Sequence, residues 1–302
     1  MSESPQSAYL DPKVIERVKR LELIARGAVE GARMGMHKST LHGLSTEFTH
    51  HRPYVQGDAI RHIDWKVYSR TDRYYIKQFE AETNYDAHFL FDASSSMHYG
   101  SGDITKLEYA KHLAAAMACM IVNQGDSVGL GIFDGELRDF MPPKGSMSVL
   151  GNISEKLYNT EGRPRTNVGG IMEEFAARIR RRGFVILFSD LFDHEAEFIQ
   201  GLSRLHFAGQ HIIVFQIVDH EELSFNFDGI VKFEGLEGED MIKVHPEKVR
   251  LDYIQELEKM IKTYKSSCEA INADYFLIDT MRPVEDVLTE YLTARKRMNW
   301  IR

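Results

Sequence analysis

Apolar runs alternate with amphipathic stretches along most of the chain. Short runs rich in β-branched and aromatic residues predict buried strands, whereas apolar residues repeating every three or four positions predict helices. The predicted strands cover 74–80, 85–92, 126–133, 137–141, 184–189, 211–218 and 274–279, with a further strand pair within 225–234. The predicted helices cover 106–123, 147–158, 171–182, 195–208, 246–271 and 284–297. Strands alternating with helices predict an α/β fold with a mostly parallel sheet.

The first part of the chain has a different pattern. Residues 11–31 show helical spacing of apolar positions and predict an amphipathic helix, which either packs on the main domain or offers its apolar stripe to a partner. Residues 32–72 are mixed and predict irregular structure with short helical turns. A chain of 302 residues is long enough for two domains. We therefore expect an N-terminal helical and irregular extension over 1–84 and an α/β domain over 85–302.

Three loops at predicted strand or helix boundaries carry oxygen-bearing side chains. The strand over 85–92 ends in Asp92, and Ser94 and Ser96 follow at alternate positions. Thr166 precedes the helix over 171–182, and the strand over 184–189 is followed by Asp190. Carboxylates and hydroxyls suit a hard cation such as Mg²⁺, and ligand sites of open α/β sheets lie at the carboxyl ends of strands. The alternative for Asp92 and the two serines is a helix N-cap.

The ordered set D-x-S-x-S, Thr and Asp resembles the metal-ion-dependent adhesion site of von Willebrand factor A domains. That resemblance implies that Ser94, Ser96 and Thr166 bind Mg²⁺ (or Mn²⁺) directly or nearly so, while Asp92 and Asp190 act largely through coordinated water. The fold would then be von Willebrand factor A-like. One departure is Leu191, where many adhesion domains have glycine, so the shape of the third loop is open.

A second motif lies upstream, where Tyr54–Trp65 reads Y-V-Q-G-D-A-I-R-H-I-D-W. It resembles the signature of a bacterial branch of these domains, the large family of unknown function number fifty-eight. Members of that family are often associated with MoxR-type AAA+ ATPases. The resemblance implies such an ATPase and a client protein as partners, with a partner carboxylate completing the metal shell. The signature itself is read either as part of an interface or as a local lock in which Arg61 and Asp64 form an ion pair.

Composition narrows the function classes. The net charge is −8, and the excess of acidic residues is located after residue 84. This acidic character argues against nucleic acid as a partner. No apolar run is long enough to span a bilayer and no secretory signal is visible, so we expect a cytoplasmic protein without membrane helices. Cys119 and Cys268 are read as buried thiols. No phosphate-binding glycine loop, nucleophile elbow or zinc-binding helix motif is present.

The leading hypothesis is therefore a metal-dependent protein-interaction module without enzymatic activity. The alternative is a metal-dependent hydrolase or phosphoryl-transfer enzyme that uses the same site. A third hypothesis is a structural interaction protein that has the same fold and binds no metal. If the metal site exists, we expect Asp92 and Asp190 to face each other without a neutralising charge when the metal is removed.

Overall fold

The apolar runs beyond residue 85 pair into one six-stranded sheet. The computed structural model describes residues 46–55, 63–81, 85–161, 168–192, 195–227, 229, 231–233 and 242–297. The strands are β1 (Thr46–Pro53), β2 (Tyr75–Ala81), β3 (Asp86–Asp92), β4 (Ser127–Phe133), β5 (Leu137–Lys144), β6 (Gly183–Ser189), β7 (His211–Val218), β8 (Val231–Phe233), β9 (Ile242–Val244) and β10 (Asp274–Asp279). The helices are α1 (Trp65–Thr71), α2 (Lys106–Asn123), α3 (Ser148–Tyr158), α4 (Val168–Arg178), α5 (Glu195–Phe207), α6 (His220–Ser224), α7 (Pro246–Ala270) and α8 (Val284–Arg297).

The strand order of the large sheet is β10-β7-β6-β3-β4-β5, and only β5 is antiparallel to its neighbour. From β3 the chain moves outward to β4 and β5, then crosses back to place β6 on the other side of β3. The carboxyl ends of β3 and β6 therefore form a topological switch point, where open α/β sheets bind ligands. The predicted α/β, von Willebrand factor A-like fold with a mostly parallel sheet flanked by helices is confirmed.

Both faces of the sheet are covered. Along β3, Phe89 and Phe91 belong to one buried cluster and Leu90 to the other, because successive strand residues point to opposite faces. The first cluster includes apolar residues of α2, α3 and α8, and the second includes residues of α4, α5 and α7. Cys119 and Cys268 are buried free thiols, as predicted. A strand buried on both faces fixes its end residues firmly, and this positions Asp92.

The described residues divide into two compact units, each taken by itself: one contains β1, α1 and β2, and the other begins at Tyr85. In the first unit, β1 pairs antiparallel with β2. The expectation of irregular structure over 32–72 is therefore wrong for Thr46–Pro53, although α1 is the expected short helix. The helix predicted over 11–31 lies outside the described residues. The boundary after residue 84 stays a prediction, because residues 1–45 and 82–84 are not described either.

Three smaller expectations are corrected in the larger unit. Helix α4 begins at Val168 and ends at Arg178, earlier at both ends than predicted. The described part of 225–234 holds one strand, β8, instead of the expected strand pair, and its antiparallel partner is β9, later in the chain. The five-residue helix α6 was not predicted. In the described part of the chain, no helix is both long and apolar enough to cross a bilayer.

Candidate metal centre at the carboxyl edge of the sheet

Asp92 ends β3 with no exposed surface, and both of its carboxylate oxygens accept hydrogen bonds. Its Oδ1 accepts from the backbone N–H of Ser94 at 2.9 Å, and its Oδ2 accepts from the hydroxyl of Ser189 on β6. The carboxylate thus connects the two strands that form the switch point. Ser94 precedes the 3₁₀ turn Ser95–His98 and makes no side-chain capping bond to it, so the N-cap alternative does not explain this serine.

The hydroxyls of Ser94 and Ser96 lie side by side. Their Oγ atoms are 3.0 Å apart, Ser94 is buried and Ser96 is partly exposed. Two ligands at adjacent corners of an octahedron with bonds of about 2.1 Å are about 3.0 Å apart, which is the geometry that Mg²⁺ requires. The serine pair therefore fits adjacent positions in a magnesium shell as it stands.

The fourth predicted site residue, Thr166, lies outside the described residues. The fifth, Asp190, directly follows β6 and is fully buried. Since β3 and β6 are adjacent and parallel, their ends bring Asp92 and Asp190 to the same edge of the sheet. The structure thus gathers Asp92, Ser94, Ser96 and Asp190 at one edge.

A lysine neutralises Asp190. The ammonium of Lys106, the first residue of α2, donates to Asp190 Oδ2 at 2.9 Å and to Glu222 Oε1 at 2.8 Å. Only 1% of the Lys106 side chain is exposed. Burial opposes its charge, but the two carboxylates outweigh burial and raise the pKa of Lys106. The expectation that Asp92 and Asp190 lack a neutralising charge is therefore wrong for Asp190.

The loop after β6 takes the shape that a glycine would favour. Leu191 has φ +59°, in the left-handed region that costs residues with a Cβ roughly 1–2 kcal/mol. Its side chain is nevertheless buried in the core, and its carbonyl accepts from the Tyr264 hydroxyl at 2.9 Å. Burial and this hydrogen bond hold the turn, so the leucine at this position leaves the Asp190 carboxylate in place.

Glu222 and Lys106 were not singled out from the sequence as site residues. Glu222 belongs to a capping box on α6, in which Asp219 accepts from the Glu221 N–H and Glu222 accepts from the Asp219 N–H at 2.8 Å. The D-x-x-E spacing after the apolar run of β7 is a visible signal for that box. Lys106 gives a weaker signal: a cation directly after the N-cap Thr105, where the helix dipole disfavours positive charge.

In the first unit, Asp64 and Trp65 are among the described residues of the upstream signature. Asp64 caps α1, because its Oδ1 accepts from the N–H groups of Lys66 at 2.9 Å and Val67 at 3.3 Å. Trp65 is 56% exposed and packs edge-on against Tyr68. Gly57, Asp58 and Arg61 lie outside the described residues, so the predicted Arg61–Asp64 pair stays a prediction. Asp64 supports a local structural role for its part of the motif.

Among the described side chains, no group of three or more His, Cys, Asp or Glu residues is arranged to hold a metal ion. The donors at the sheet edge are instead two hydroxyls and two buried carboxylates. Such an all-oxygen set suits Mg²⁺ or Mn²⁺ and is a poor match for softer metals.

Comparison with known proteins identifies relatives without an assigned function. The family model described as "Protein of unknown function DUF58" matches residues 50–262. Two matching relatives are the uncharacterized proteins Rv1480 of Mycobacterium tuberculosis and Mb1516 of Mycobacterium bovis, each 25% identical over 187 residues. The alignment covers 60% of this chain and 58% of each relative, so the chain spans little more than half of their length.

Solved structures give distant matches. BatB of Bacteroides thetaiotaomicron has a TM-score of 0.43 and 16% identity, covering 71% of this chain and 100% of that one. The VWA domain of SpRpn10 has a TM-score of 0.41 and 14% identity, covering 68% of this chain and 94% of that one. At these values the similarity carries no conclusion about function, and the fold rests on the strand order described above.

Proposed function

The chain belongs to the DUF58 family of proteins of unknown function, and we propose that it is a metal-dependent protein-interaction module. The single observation that carries the proposal is the Ser94–Ser96 hydroxyl pair, whose Oγ atoms are 3.0 Å apart at the same edge of the sheet as the buried carboxylates of Asp92 and Asp190. Its position at the topological switch point supports a ligand site. Thr166 is proposed as the third hydroxyl on the basis of the resemblance to adhesion sites.

In this proposal Ser94, Ser96 and Thr166 hold Mg²⁺ or Mn²⁺, and the two aspartates orient coordinated water. When bound, the metal supplies a positive centre that accepts a further oxygen ligand. The chain's own residues hold the hydroxyls in place: Asp92 fixes the first loop through the Ser94 N–H, and Lys106 fixes Asp190.

The proposed partner presents a carboxylate that completes the metal shell. The family resemblance suggests a MoxR-type AAA+ ATPase together with a client protein, for which this chain would act as an adaptor. The net charge of −8 makes nucleic acid an unfavourable partner. The two buried thiols agree with the cytoplasm as the proposed location.

Binding is favoured over catalysis by the state of the acidic groups. A metal-dependent hydrolase needs a general base in reach of the attacking water. Asp92 is held by Ser94 and Ser189, and Asp190 is held by Lys106, so both carboxylates already have defined partners. We therefore propose that the chain turns over neither phosphoesters nor nucleotides, and activity that survives repurification and is lost in Asp92→Ala would favour the hydrolase.

The test is calorimetric titration with Mg²⁺, combined with thermal melts in Mg²⁺ and in EDTA. Binding to the native state alone should add about 2.7 kcal/mol at a hundredfold excess over the dissociation constant. Ser96→Ala should weaken binding. Ser148→Ala is the matched control, because Ser146 and Ser148 are also two positions apart in sequence and form an exposed hydroxyl pair with Oγ atoms 2.8 Å apart. No heat of binding together with identical midpoints would contradict the proposal.

A further inference from the structure

We propose that Lys106 is a built-in counter-ion that stabilises the empty site and keeps its metal affinity low, so that metal is held tightly only when a partner adds its own carboxylate. This inference rests on the proposed metal-binding function and concerns how that site is regulated. It is carried by the buried Lys106–Asp190–Glu222 arrangement.

The position of Lys106 is unfavourable without its partners. The residue starts α2, where the partial positive charge of the helix terminus opposes a cation. Its side chain is almost fully buried, which opposes any charge. The carboxylates of Asp190 at 2.9 Å and Glu222 at 2.8 Å compensate both effects. The ring of Phe192 adds a cation–π contact, with the ammonium 4.7 Å from its centroid.

The same arrangement changes the electrostatic environment of a metal bound at the site. Asp190 contributes a negative charge to the site, but the ammonium on its Oδ2 balances that charge. A divalent cation among Ser94, Ser96 and Asp190 would therefore meet a carboxylate already paired with a positive group, and would be repelled by that group in a poorly solvated environment. A partner carboxylate brings a negative charge that Lys106 does not already balance. Metal and partner should therefore bind more tightly together than apart.

Lys106→Met tests the inference, since it removes the charge and keeps an apolar chain of similar length. We expect calorimetric Mg²⁺ binding to become about tenfold tighter or more, because the repulsion is removed. A role limited to holding the loop in place would give the opposite result, a weaker site. Lys111→Met is the matched control: Lys111 is also buried on α2 but pairs at 2.8 Å with Glu108 of the same helix, which is not a proposed site residue, so its loss should leave Mg²⁺ affinity unchanged.

Glu222→Gln provides a second route should Lys106→Met fail to fold. It removes one of the two negative charges that balance Lys106, and Mg²⁺ binding should become several-fold weaker. The inference would be overturned if folded Lys106→Met bound Mg²⁺ with unchanged or weaker affinity, or if Glu222→Gln bound it with unchanged affinity. In either case, Mg²⁺ binding by the wild type would still support the proposed function. No Mg²⁺ binding by the wild type or by any variant would overturn the proposed function, and the inference with it.

Discussion

The ammonium of Lys106 lies 2.9 Å from the carboxylate of Asp190, and both side chains are removed from solvent. The two residues are 84 positions apart, and their contact joins the start of α2 to the loop after β6. A charge pair in such surroundings contributes little net stability, yet breaking it is costly because a buried charge remains without compensation. The edge of the sheet is therefore sensitive to the loss of Lys106 even in the absence of metal.

We predict that Lys106→Met lowers the free energy of unfolding in EDTA by about 3–5 kcal/mol, since Asp190 and Glu222 lose a shared cation. Urea unfolding measures the loss. Adding Asp190→Asn should recover part of it, because one of the two uncompensated charges is then removed. A loss below about 1 kcal/mol would show that water or another group solvates these carboxylates adequately.

The sequence predicts the frame of the fold well because the strands are continuous apolar runs. Helix α2 and strand β7 match their predicted bounds. Asp92 ends the apolar run of β3, and Asp190 directly follows the apolar run of β6. Strand β1 is missed because Thr46–Pro53 contains polar and histidine residues and is defined by pairing with β2, a contact distant in sequence. The Lys106 contacts span 84 and 116 positions, and local patterns carry no information on such pairs.

The left-handed backbone of Leu191 predicts that a glycine variant is more stable than an alanine variant, the reverse of the usual order. Both Leu191→Ala and Leu191→Gly remove a buried side chain and should cost roughly 2–5 kcal/mol of stability. At ordinary positions alanine is the more stable of the two, but at φ +59° glycine avoids the Cβ penalty. The glycine variant should therefore be more stable than the alanine variant by about 1 kcal/mol in urea unfolding. An alanine variant that is equal or better would contradict the assigned turn.

His88 on β3 should make stability depend on pH. Burial lowers its pKa to about 4, although nearby Asp86 acts to raise it. In the unfolded chain the pKa is near 6.5, so between these values the unfolded state binds the extra proton. The contribution is complete above about pH 6.5 and is lost as the pH falls toward 4, with a maximum of about 3 kcal/mol.

The check for His88 is urea unfolding of the wild type and of His88→Leu from pH 4.5 to 7.5. The variant should lose stability less steeply on acidification, because its side chain cannot be protonated. The difference in unfolding free energy between the two proteins should change by a measurable part of those 3 kcal/mol across the range. Parallel curves would contradict the prediction, because they would show that His88 is protonated as readily in the folded state as in the unfolded state.

The last prediction separates metal binding from partner binding. The Ser96 Oγ lies 3.0 Å from the Ser94 Oγ, and Asp92 accepts from the Ser94 N–H, so Ser96→Ala removes a hydroxyl that we propose as a preorganised metal ligand. It should weaken Mg²⁺ binding and metal-dependent capture of a partner together. Thr166 is distant in sequence from Ser94 and Ser96 and comes two positions before the first residue of α4. The sequence just before it contains Gly162, and glycine allows the backbone to change conformation at modest cost, so we predict that Thr166 joins the metal when a partner carboxylate arrives.

Thr166→Ala should then reduce partner capture more than it reduces Mg²⁺ affinity in the free protein. The measurements are calorimetric Mg²⁺ titration and capture of the proposed partner, a MoxR-type ATPase, in Mg²⁺ and in EDTA, with Ser148→Ala as control. Equal proportional losses in Ser96→Ala and Thr166→Ala would make Thr166 an ordinary ligand and exclude the shifting loop. Capture that is unchanged by EDTA would place the interface away from the metal, because a partner carboxylate completing the shell cannot bind without it.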